Sequence, residues 1–537
     1  LFPYTTLFRS NVIIFLLIIA AGVAAFYYRD SQRRAGLFSF ISSKTEKVSG
    51  KLSSEKAKSA SDVLVMGLDS WIGSTPALIA LDRGYNNDYM LNMELKYITN
   101  DRDRITELKN GTIHVTEMTL PAFLKFQSEF PNSGIIVGIT DFSRGADGII
   151  AKEGINTLND MEGKTVSYVS DGIGKFILNK FLRLTGLRYQ DIKALERKEM
   201  SDVVDDLKNG RADLIVSWSP DMNITLKEMN ASKPGSVKML ITTKEVPDLV
   251  PTVLVVNKSV ADKYPEKVEA FLKTWYVSAK YIIEKPDKAY ERLAALMSEK
   301  DDIYGNVSID DVKESFENIK LMSLNDNFSY FGLDGKERKV DYIITDTIKT
   351  WQKFGDMPES NIQSNILADT YMKHLFKEND QELLVGAIDS SISGNAQVAV
   401  EEKKQFTKQD EISIEQNTEM VAKIDIPPVY YDSGMATVRE ESKEVLNEVV
   451  SILKQFPEYY LIIDAHTDSV GSDEFNLKLS KDRAETVKLY LISQGIDENR
   501  LVARGWGEYR PVVAQELTEE DMAKNRRTEF ILTRTVN

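Results

Sequence analysis

An acidic and a basic residue lie 15 positions apart in the stretch DAHTDSVGSDEFNLKLSKDRAE, residues 464–485. Asp468 follows an apolar run, in a loop that Gly471 bounds, and Arg483 lies on the amphipathic stretch that comes next. A carboxylate and a guanidinium both form strong, charge-assisted hydrogen bonds, and the guanidinium fork matches a carboxylate. The two side chains therefore either hold a small molecule that carries both charges or pair with each other.

The elements that must position this pair form an α/β pattern from Asp425 to the end of the chain. A short strand and an amphipathic helix are predicted over 429–457, and the apolar run YYLIID leads into the Asp468 loop. A second amphipathic helix carries Arg483, and further strands follow it. The predicted order is β-α-β-α-β, an α+β domain that spans 425–537.

Four short motifs follow one another along this domain. They are H-T-D-S-V-G at 466–471, N-L-K-L-S-K-D-R-A at 476–484, G-W-G-E at 505–508 and N-R-R-T-E-F at 525–530. In this order they closely resemble the OmpA-like peptidoglycan-binding domain. In that family an Asp and an Arg hold the two ends of diaminopimelate, and the matching positions in this chain are Asp468 and Arg483.

The chemistry that this resemblance implies suits the charged pair. A zwitterionic amino-acid centre offers an ammonium to Asp468 and a carboxylate to the forked guanidinium of Arg483. The resemblance also implies that Thr467, Asn476 and Leu479 contribute to the binding site by shaping the loop and the helix. Peptidoglycan is therefore an expected partner, and direct pairing of the two charges is the alternative.

The composition of the whole chain argues against several classes of function. A length of 537 residues is enough for two or three cores. The net charge of −15 argues against a nucleic-acid-binding protein, and the absence of cysteine excludes disulfides and thiolate chemistry. With three separated histidines we predict no metal site and no cofactor, and without a nucleophile–base grouping we expect no enzyme.

Two segments at the start of the sequence are expected to lie outside the folded domains. LFPYTTLFRS, residues 1–10, looks like the translation of a sequencing adapter, which would leave the native amino terminus missing; a short native tail is the alternative. Residues 11–28 are uncharged and apolar, which predicts a transmembrane signal anchor, with a removed signal peptide as the alternative. The arginines that follow favour a cytoplasmic side, so the orientation has to be argued from the domains.

Composition divides the rest of the chain into two linkers and a large central region. Residues 29–61 are rich in Ser and Lys and are predicted to be a stalk, and the polar residues 377–424 are predicted to be a second linker. Between them, residues 62–376 alternate short β runs with amphipathic helices, which is typical of α/β lobes.

An internal echo indicates that the central region contains two similar lobes. ITELKNGTIHVTEM (105–118) and VVDDLKNGRADLIVSW (203–218) each read as a helix, the tetrapeptide Leu-Lys-Asn-Gly and a strand. In both, the glycine (Gly111, Gly210) suits the left-handed position that ends a helix. The echo predicts the same helix-turn-strand unit in each lobe.

Loops at the ends of predicted strands could form a cleft between these lobes. WIGSTP, residues 71–76, follows one strand, and SDGIG, residues 170–174, follows another and begins a helix. Open α/β sheets bind ligands at the carboxyl ends of their strands, and the start of a helix favours an anion.

These loops, together with G-A-D-G-I-I at 145–150 and G-R-A-D-L-I-V-S-W-S-P at 210–220, resemble parts of the periplasmic substrate-binding proteins of ABC importers, in the nitrate, sulfonate and thiamine-precursor-like group. The resemblance implies a two-lobed periplasmic-binding-protein fold of type II, with chain crossovers near 142–151 and 242–256. It also implies a ligand cleft lined by Trp71, Gly73, Ser74, Thr119, Ser170, Ile173, Gly174, Trp218 and Asp221.

The two resemblances together predict a non-catalytic solute-binding protein of a Gram-negative inner membrane, with one span and with periplasmic domains that dock on peptidoglycan. Expected partners are peptidoglycan through diaminopimelate, a small solute for which an anion is one candidate, an ABC permease, and the membrane. A structural envelope tether, whose two-lobed domain binds a protein partner, is the alternative. A motor stator is disfavoured because residues 11–28 contain no Asp, Glu, Lys, Arg or His.

Overall fold

The computed structural model describes residues 63–170, 172–304, 307–335, 337–358, 366–386, 417–432 and 434–535. The predicted adapter-derived segment, the predicted span at 11–28 and the predicted stalk at 29–61 lie outside the described residues. Within the described ranges, no helix combines the length and the apolar character needed to cross a bilayer.

The first lobe is built on a six-stranded sheet. Its strands are β1 (Leu64–Leu68), β2 (Met93–Tyr97), β3 (Val115–Thr119), β4 (Ile135–Ser143), β10 (Pro251–Val256) and β11 (Ile319–Leu321). Their order across the sheet is β11-β4-β10-β3-β1-β2, with β10 and β11 antiparallel to their neighbours. The carboxyl ends of β1, β3 and β4 therefore meet at one edge.

The second lobe is built on a five-stranded sheet with the same topology. Its strands are β5 (Asp147–Lys152), β6 (Thr165–Val169), β7 (Lys193–Arg197), β8 (Leu214–Trp218) and β9 (Val237–Thr242). Their order is β7-β6-β8-β5-β9, with β5 antiparallel to both of its neighbours. The first lobe has the equivalent order β2-β1-β3-β10-β4, so the predicted two-lobed α/β architecture is confirmed.

Two segments connect the lobes, at the positions that the family resemblance implied. The chain passes from β4 to β5 and returns from β9 to β10. Thr243 joins these segments, because its hydroxyl accepts a hydrogen bond from the backbone of Gly145 at 2.9 Å and lies 2.6 Å from the hydroxyl of Ser143. The two crossovers are therefore fastened to each other where the lobes meet.

Fifteen helices of the two-lobed region cover and connect the sheets. They are α1 (Pro76–Arg83), α2 (Tyr85–Asp88), α3 (Asp101–Asn110), α4 (Leu120–Glu129), α5 (Ile173–Thr185), α6 (Met200–Lys208), α7 (Asp221–Ser232), α8 (Lys258–Lys263), α9 (Pro265–Glu284), α10 (Pro286–Ser298), α11 (Asp301–Tyr304), α12 (Ile309–Glu317), α13 (Leu324–Tyr330), α14 (Val340–Lys353) and α15 (Thr370–Glu378), all within the described residues. The predicted echo appears as α3 before β3 and α6 before β8. Gly111 and Gly210 have positive φ angles of 76° and 75° in the two turns.

Helix α14 packs against both lobes. The indole of Trp351 is fully buried, and its Nε1 donates to the carbonyl of Pro121, at the start of α4 in the first lobe, over 3.0 Å. The ring of Phe176, on α5 in the second lobe, lies 5.5 Å from that indole. Lys180, on the same helix, donates to Asp346 over 2.5 Å. This helix therefore braces one lobe against the other.

The carboxyl-terminal domain contains a four-stranded sheet with three helices. The strands are β12 (Thr418–Ile424), β13 (Tyr460–Ala465), β14 (Leu501–Gly505) and β15 (Thr528–Thr535), in the order β12-β15-β13-β14, and the helices are α16 (Ser442–Gln455), α17 (Asp473–Ser493) and α18 (Glu519–Asn525). This agrees with the predicted α+β arrangement.

The structure places both ends of the predicted linker 377–424 inside folded units. Strand β12 pairs along its length with β15, so the sheet begins before the predicted boundary at 425. At the other end, α15 runs to Glu378, and Leu383 is buried in the core. Polar composition concealed these edges because β12 is an edge strand with one solvated face.

The carboxyl-terminal domain also contacts the two-lobed domain directly. The side-chain amide of Asn159 exchanges hydrogen bonds with the backbone of Lys423 over 2.8 and 3.2 Å. Arg534 donates to the carbonyl of Leu240 over 3.1 Å and to Glu245 over 3.2 Å. Through these contacts the four-stranded sheet of the carboxyl-terminal domain packs against the second lobe.

Candidate functional site

The loop between β13 and α17 holds the predicted acidic residue. Asp468 is buried, and its carboxylate accepts a hydrogen bond from Arg526 Nη1 at 2.6 Å and one from the backbone of Val470 at 3.2 Å. The hydrogen bond that Arg526 donates to Asp468 raises the pKa of Arg526. Arg526, rather than Arg483, is therefore the direct partner of this carboxylate among the described residues.

The predicted basic residue is held separately, on the buried side of α17. Arg483 Nε donates to the carbonyl of Met435 over 3.0 Å, and its guanidinium carbon lies 4.8 Å from the centre of the Tyr431 ring. Burial lowers the pKa of Arg483, while the nearby charge of Asp468 acts in the opposite direction. The two predicted residues thus face the same region without bonding to each other, and Arg483 donates its Nη groups to no described residue.

Three further predicted residues surround the loop in different ways. Asn476 donates to the carbonyl of Asp468 over 3.2 Å and to Glu508 over 2.8 Å, which ties the loop to α17. Thr467 is buried, and its hydroxyl has no hydrogen-bond partner within the part of the chain that the structure describes. Leu479 is half-buried on α17, one turn after Asn476.

The two glycines of the G-W-G-E motif allow the backbone of this motif to lie close to the backbone of α17. A Cβ atom on Gly505 would collide with the backbone of Lys481, and a Cβ on Gly507 would lie 3.1 Å from the backbone nitrogen of Leu477. Gly507 also donates its backbone N–H to Ser480 over 2.8 Å. Only glycine allows β14 and its following turn to lie this close to α17, which fixes the helix that carries Arg483.

His466, which precedes Thr467, is held neutral by its surroundings. The imidazole is buried, and neither ring nitrogen has a hydrogen-bond partner among the described residues. Burial, followed by the positive charge of Arg527, lowers the pKa of His466 to about 4. The histidine is therefore uncharged at neutral pH.

Arg526 is the functional candidate that sequence reasoning missed. It belongs to the N-R-R-T-E-F motif, which marks the domain in the sequence but indicates no role for its arginines. Besides Asp468, it pairs with Glu519 on α18. The sequence of this motif gave no indication that Arg526 would contact Asp468, because the two residues are 58 positions apart.

The predicted cleft residues of the first lobe gather around a carboxylate that the sequence did not single out. Trp71 Nε1 donates to both oxygens of Asp141 over 3.2 Å. A Cβ atom on Gly73 would collide with that carboxylate, so glycine is required there. Ser74 is fully buried and donates to the carbonyl of Trp71 over 2.7 Å, which closes the short turn Ile72–Ser74.

Thr119 lies at the same level of the sheet as Asp141. Thr119 pairs with Thr252 on β10, and Thr252 pairs with Asp141 on β4, so the three side chains share one face. The hydroxyl of Thr252 donates to Asp141 over 3.1 Å. The hydroxyl of Thr119 is buried and has no such partner among the described residues.

The predicted residues at the start of α5 lie opposite, in the second lobe. Ser170 is half-buried and donates its backbone N–H to Arg197 over 2.9 Å. Ile173 packs against the main core, and a Cβ on Gly174 would lie 3.1 Å from the carbonyl of Val169. The positions of Ile173 and Gly174 therefore have clear packing roles, whatever they contribute to a ligand.

Trp218 and Asp221 lie at the end of β8 and the start of α7. Trp218 pairs across the sheet with Asp147 and packs against a small apolar cluster in the second lobe. Asp221 is half-buried, and burial raises its pKa. Trp218 is the last residue of β8 and Asp221 begins α7, so both lie at the carboxyl end of this strand.

Two buried acids are the most unusual groups of the first lobe. Glu117, on β3, is 2% exposed, and Asp141 is completely buried. Burial raises the pKa of Asp141 to about 6, although hydrogen bonds from Thr140, Trp71 and Thr252 lower it. Burial and then the charge of Asp69 raise the pKa of Glu117 well above its usual range. The alternation of residues along a strand did not reveal that these acids are buried, because the residues that bury them lie on other strands.

One further group of possible metal ligands lies on the surface. Glu269, His374 and Glu378 present atoms within 4.8 Å of one another. The ammonium of Lys273 pairs with Glu269 at 3.0 Å and with Glu378 at 2.8 Å. Because Lys273 already supplies a positive charge to the two glutamates, we interpret this group as an ion-pair network.

Family comparisons agree with the two folded regions. The family model described as NMT1/THI5 like matches residues 71–289, and the OmpA family model matches residues 430–526. The chain joins an NMT1/THI5-like domain to an OmpA domain.

The relatives of the OmpA domain match this chain over only part of their own length. Outer membrane protein A of Bordetella avium is 36% identical over 101 residues, which are 19% of this chain and 52% of that protein. The peptidoglycan-binding protein ArfA of Mycobacterium bovis is 33% identical over 105 residues, 20% of this chain and 32% of that protein. The chain thus spans about half, or less, of the length of these relatives.

Similar solved structures exist for each region. The periplasmic nitrate-binding protein NrtA of Synechocystis is 12% identical, with a TM-score of 0.47, over 61% of this chain and 92% of that one. The alkanesulfonate-binding protein SsuA of Xanthomonas axonopodis, bound to MOPS, is 12% identical, with a TM-score of 0.44, over 57% and 98%. For the OmpA domain, the peptidoglycan-associated lipoprotein of Burkholderia pseudomallei is 30% identical, with a TM-score of 0.19, over 19% and 87%.

Proposed function

We propose that this chain is a non-catalytic solute-binding protein that its OmpA domain holds on peptidoglycan. The observation that carries the proposal is the separate placement of Asp468 and Arg483 around one loop. Asp468 can accept from an ammonium, and the Nη groups of Arg483 can donate to a carboxylate. Diaminopimelate carries both ammonium and carboxylate groups, so it suits this pair.

Sedimentation of the full chain with purified cell-wall sacculi tests the peptidoglycan proposal. Asp468→Ala and Arg483→Ala should each lower the affinity by roughly thirty-fold or more, because each leaves one ligand charge without its partner. Lys478→Ala is the matched control, since Lys478 lies exposed on the same helix and pairs with Asp482 over 2.8 Å. Wild-type pelleting by both alanine variants, with unchanged circular dichroism, would show that the pair is structural.

The two-lobed domain supports binding of a small solute between its sheets. Half-buried Trp71, Thr119 and Trp218 lie at or just after the carboxyl ends of strands in the two sheets, which is where open α/β sheets bind ligands. A ligand that binds the closed form should raise the melting temperature, because it stabilises the native state by mass action. A permease of the ABC type is the partner that this role would need.

A structural envelope tether is the second candidate, and the bracing helix favours it. Trp351 joins α4 of the first lobe to α5 of the second, which opposes an opening motion. A tether would bind a protein partner and no solute. A broad ligand screen that leaves both the melting temperature and the scattering-derived size unchanged would favour this alternative.

Residues 11–28 would anchor the protein in the inner membrane, with the folded domains in the periplasm, where peptidoglycan lies. Their uncharged, apolar composition supports this part of the proposal. The full chain should then stay with membranes during alkaline carbonate extraction, and a variant without residues 11–28 should be released. Recovery of the full chain in the carbonate supernatant would contradict the anchor.

A further inference from the structure

The cleft edge of the first lobe is rich in carboxyl groups. Glu117 and Asp141 are buried there, and the charges of Asp69 and Asp101 act on Glu117. Arg104 is the cation that acts on Glu117, and its guanidinium already donates to Asp69 over 2.7 Å and to Asp101. These carboxyl groups therefore outnumber the guanidinium of Arg104, which is the cation named beside them.

Glu117 has an acceptor atom that nothing described in the chain satisfies. Its Oε1 is buried and accepts no hydrogen bond from the described residues. The hydroxyl of Thr119, two positions along β3 and so on the same face, is in the same condition. Buried polar atoms are nearly always paired, so two unpaired ones on one face point to a missing polar partner.

Aromatic rings border the same carboxyl groups. Trp71 contacts Asp141 through its indole nitrogen. The Tyr304 ring lies 5.9 Å from the Tyr97 ring, edge to face, and the charge of Asp69 acts on its phenol. Aromatic faces beside carboxylates attract organic cations, because the ring quadrupole and the acid charge act together.

A carboxylate of the chain lies beside the amino-terminal end of α5, where an anion would be expected to bind. A Cβ atom on Gly172, just before α5, would lie 3.4 Å from Asp101 Oδ2 of the first lobe. The amino-terminal end of a helix favours negative charge, and here a carboxylate of the chain already lies beside it. Lys175, in the first turn of α5, pairs with Asp356 at 2.6 Å. A bound anion would meet carboxylates and find these positive groups occupied.

We propose that the cleft takes a small organic cation, an amine or amidinium, that donates to Glu117 and Thr119 and lies against Trp71. This inference rests on the proposed function, since it requires the lobes to bind a solute. N–H donors of the cation would satisfy the two unpaired acceptors, and its charge would balance the carboxyl groups. The carbon chain would contact the aromatic rings.

Calorimetric titration of the full chain tests the class of ligand. The probes are putrescine, agmatine and choline as organic cations, magnesium and zinc as metal cations, and nitrate and methanesulfonate as anions. At least one organic cation should bind, and neither the metals nor the anions should. Because burial favours the protonated form of Glu117, the cation should displace that proton, and the binding heat should change with the ionisation enthalpy of the buffer.

Substitutions test where the cation binds. Glu117→Gln keeps the size of the side chain and removes its charge, so it should weaken binding by roughly thirty-fold or more. Asp141→Asn is a second variant with the same expected direction. Glu94→Gln, at an exposed position on the edge strand β2, is the control and should bind within roughly twofold of the wild type.

Each result decides a separate point. Binding of an anion or a metal ion in place of the organic cations overturns this inference and leaves solute binding intact. Organic-cation binding that survives both Glu117→Gln and Asp141→Asn overturns the assigned position. Failure of every probe overturns the inference and counts against solute binding as well. Melting curves of each variant separate loss of binding from loss of folding.

Discussion

The carboxylate of Asp468 accepts a hydrogen bond from Arg526 Nη1 over 2.6 Å. Arg483 lies near this ion pair but donates to a backbone carbonyl at Met435 instead. A ligand ammonium would therefore approach a carboxylate that is already held in place on one side. This arrangement makes Arg526 a positioning residue whose loss should be measurable.

Arg526→Ala should weaken binding to sacculi by roughly tenfold, less than Asp468→Ala, because the carboxylate remains but loses a charge-assisted partner. Co-sedimentation at several protein concentrations measures the change. Lys524→Ala is the control, since Lys524 is exposed on the preceding helix and pairs with Glu520 at 2.9 Å. Tighter binding by Arg526→Ala would mean that the arginine competes with the ligand instead of positioning Asp468.

Asp141→Asn should change how stability depends on pH. Burial raises the pKa of Asp141 to about 6, above its unfolded value of 3.8, so the folded protein binds the proton more tightly than the unfolded chain. The free energy of unfolding should therefore rise as the pH falls from about 7 towards 4, and this contribution is absent from the variant. Urea unfolding at pH 7 and pH 5 should show the wild type gaining about 1 kcal/mol relative to the variant.

The comparison between the two proteins reports Asp141 together with its effect on two other buried carboxyls, because the charge of Asp141 also raises the pKa of Glu117 and of Asp147. His466, whose pKa is lowered to about 4, destabilises the folded state as the pH falls, but it does so in both proteins. Its contribution therefore cancels in the difference. An equal stability difference at the two pH values would show that Asp141 is ionised across this range.

Trp351→Ala should lower the free energy of unfolding by about 3–5 kcal/mol, because it removes a fully buried indole that contacts both lobes. Small-angle scattering of the same variant should show a larger radius, since the brace between α4 and α5 is lost. Trp351→Phe keeps the apolar contact with Phe176 and should retain most of the stability. Leu489→Ala, at an exposed position on α17, should change little.

Arg534→Ala should loosen the OmpA domain from the second lobe. The guanidinium bonds to Leu240 and Glu245 across the contact and to Glu419 within its own sheet at 2.7 Å. Loss of these charge-assisted bonds should cost about 1–3 kcal/mol. Calorimetry should then show a separate, earlier transition for the OmpA domain, whereas Arg188→Ala, at an exposed pair with Asp191, should melt as the wild type does. A single unchanged transition would show that the contact contributes nothing to stability.

The sequence alone was sufficient for the features that local order encodes. The motifs around Asp468 and Arg483 are contiguous, so they identified the OmpA domain. The repeated helix, glycine and strand at Gly111 and Gly210 predicted two lobes of equal topology, because helix-ending glycines and strand alternation act over a few residues. Strand β12 was not predicted from the sequence because its pairing partner, β15, lies at the far end of the domain.

Only the tertiary structure decided which groups meet. Asp468 and Arg526 are 58 residues apart, and Trp71 and Asp141 are 70 apart, so no local period could bring either pair together. Likewise, Glu117 reads in the sequence as an ordinary strand residue, and only the packing of neighbouring strands buries it without a donor. Hydrophobic periodicity specifies which face of an element is buried, whereas the register between distant elements determines which charges share that interior.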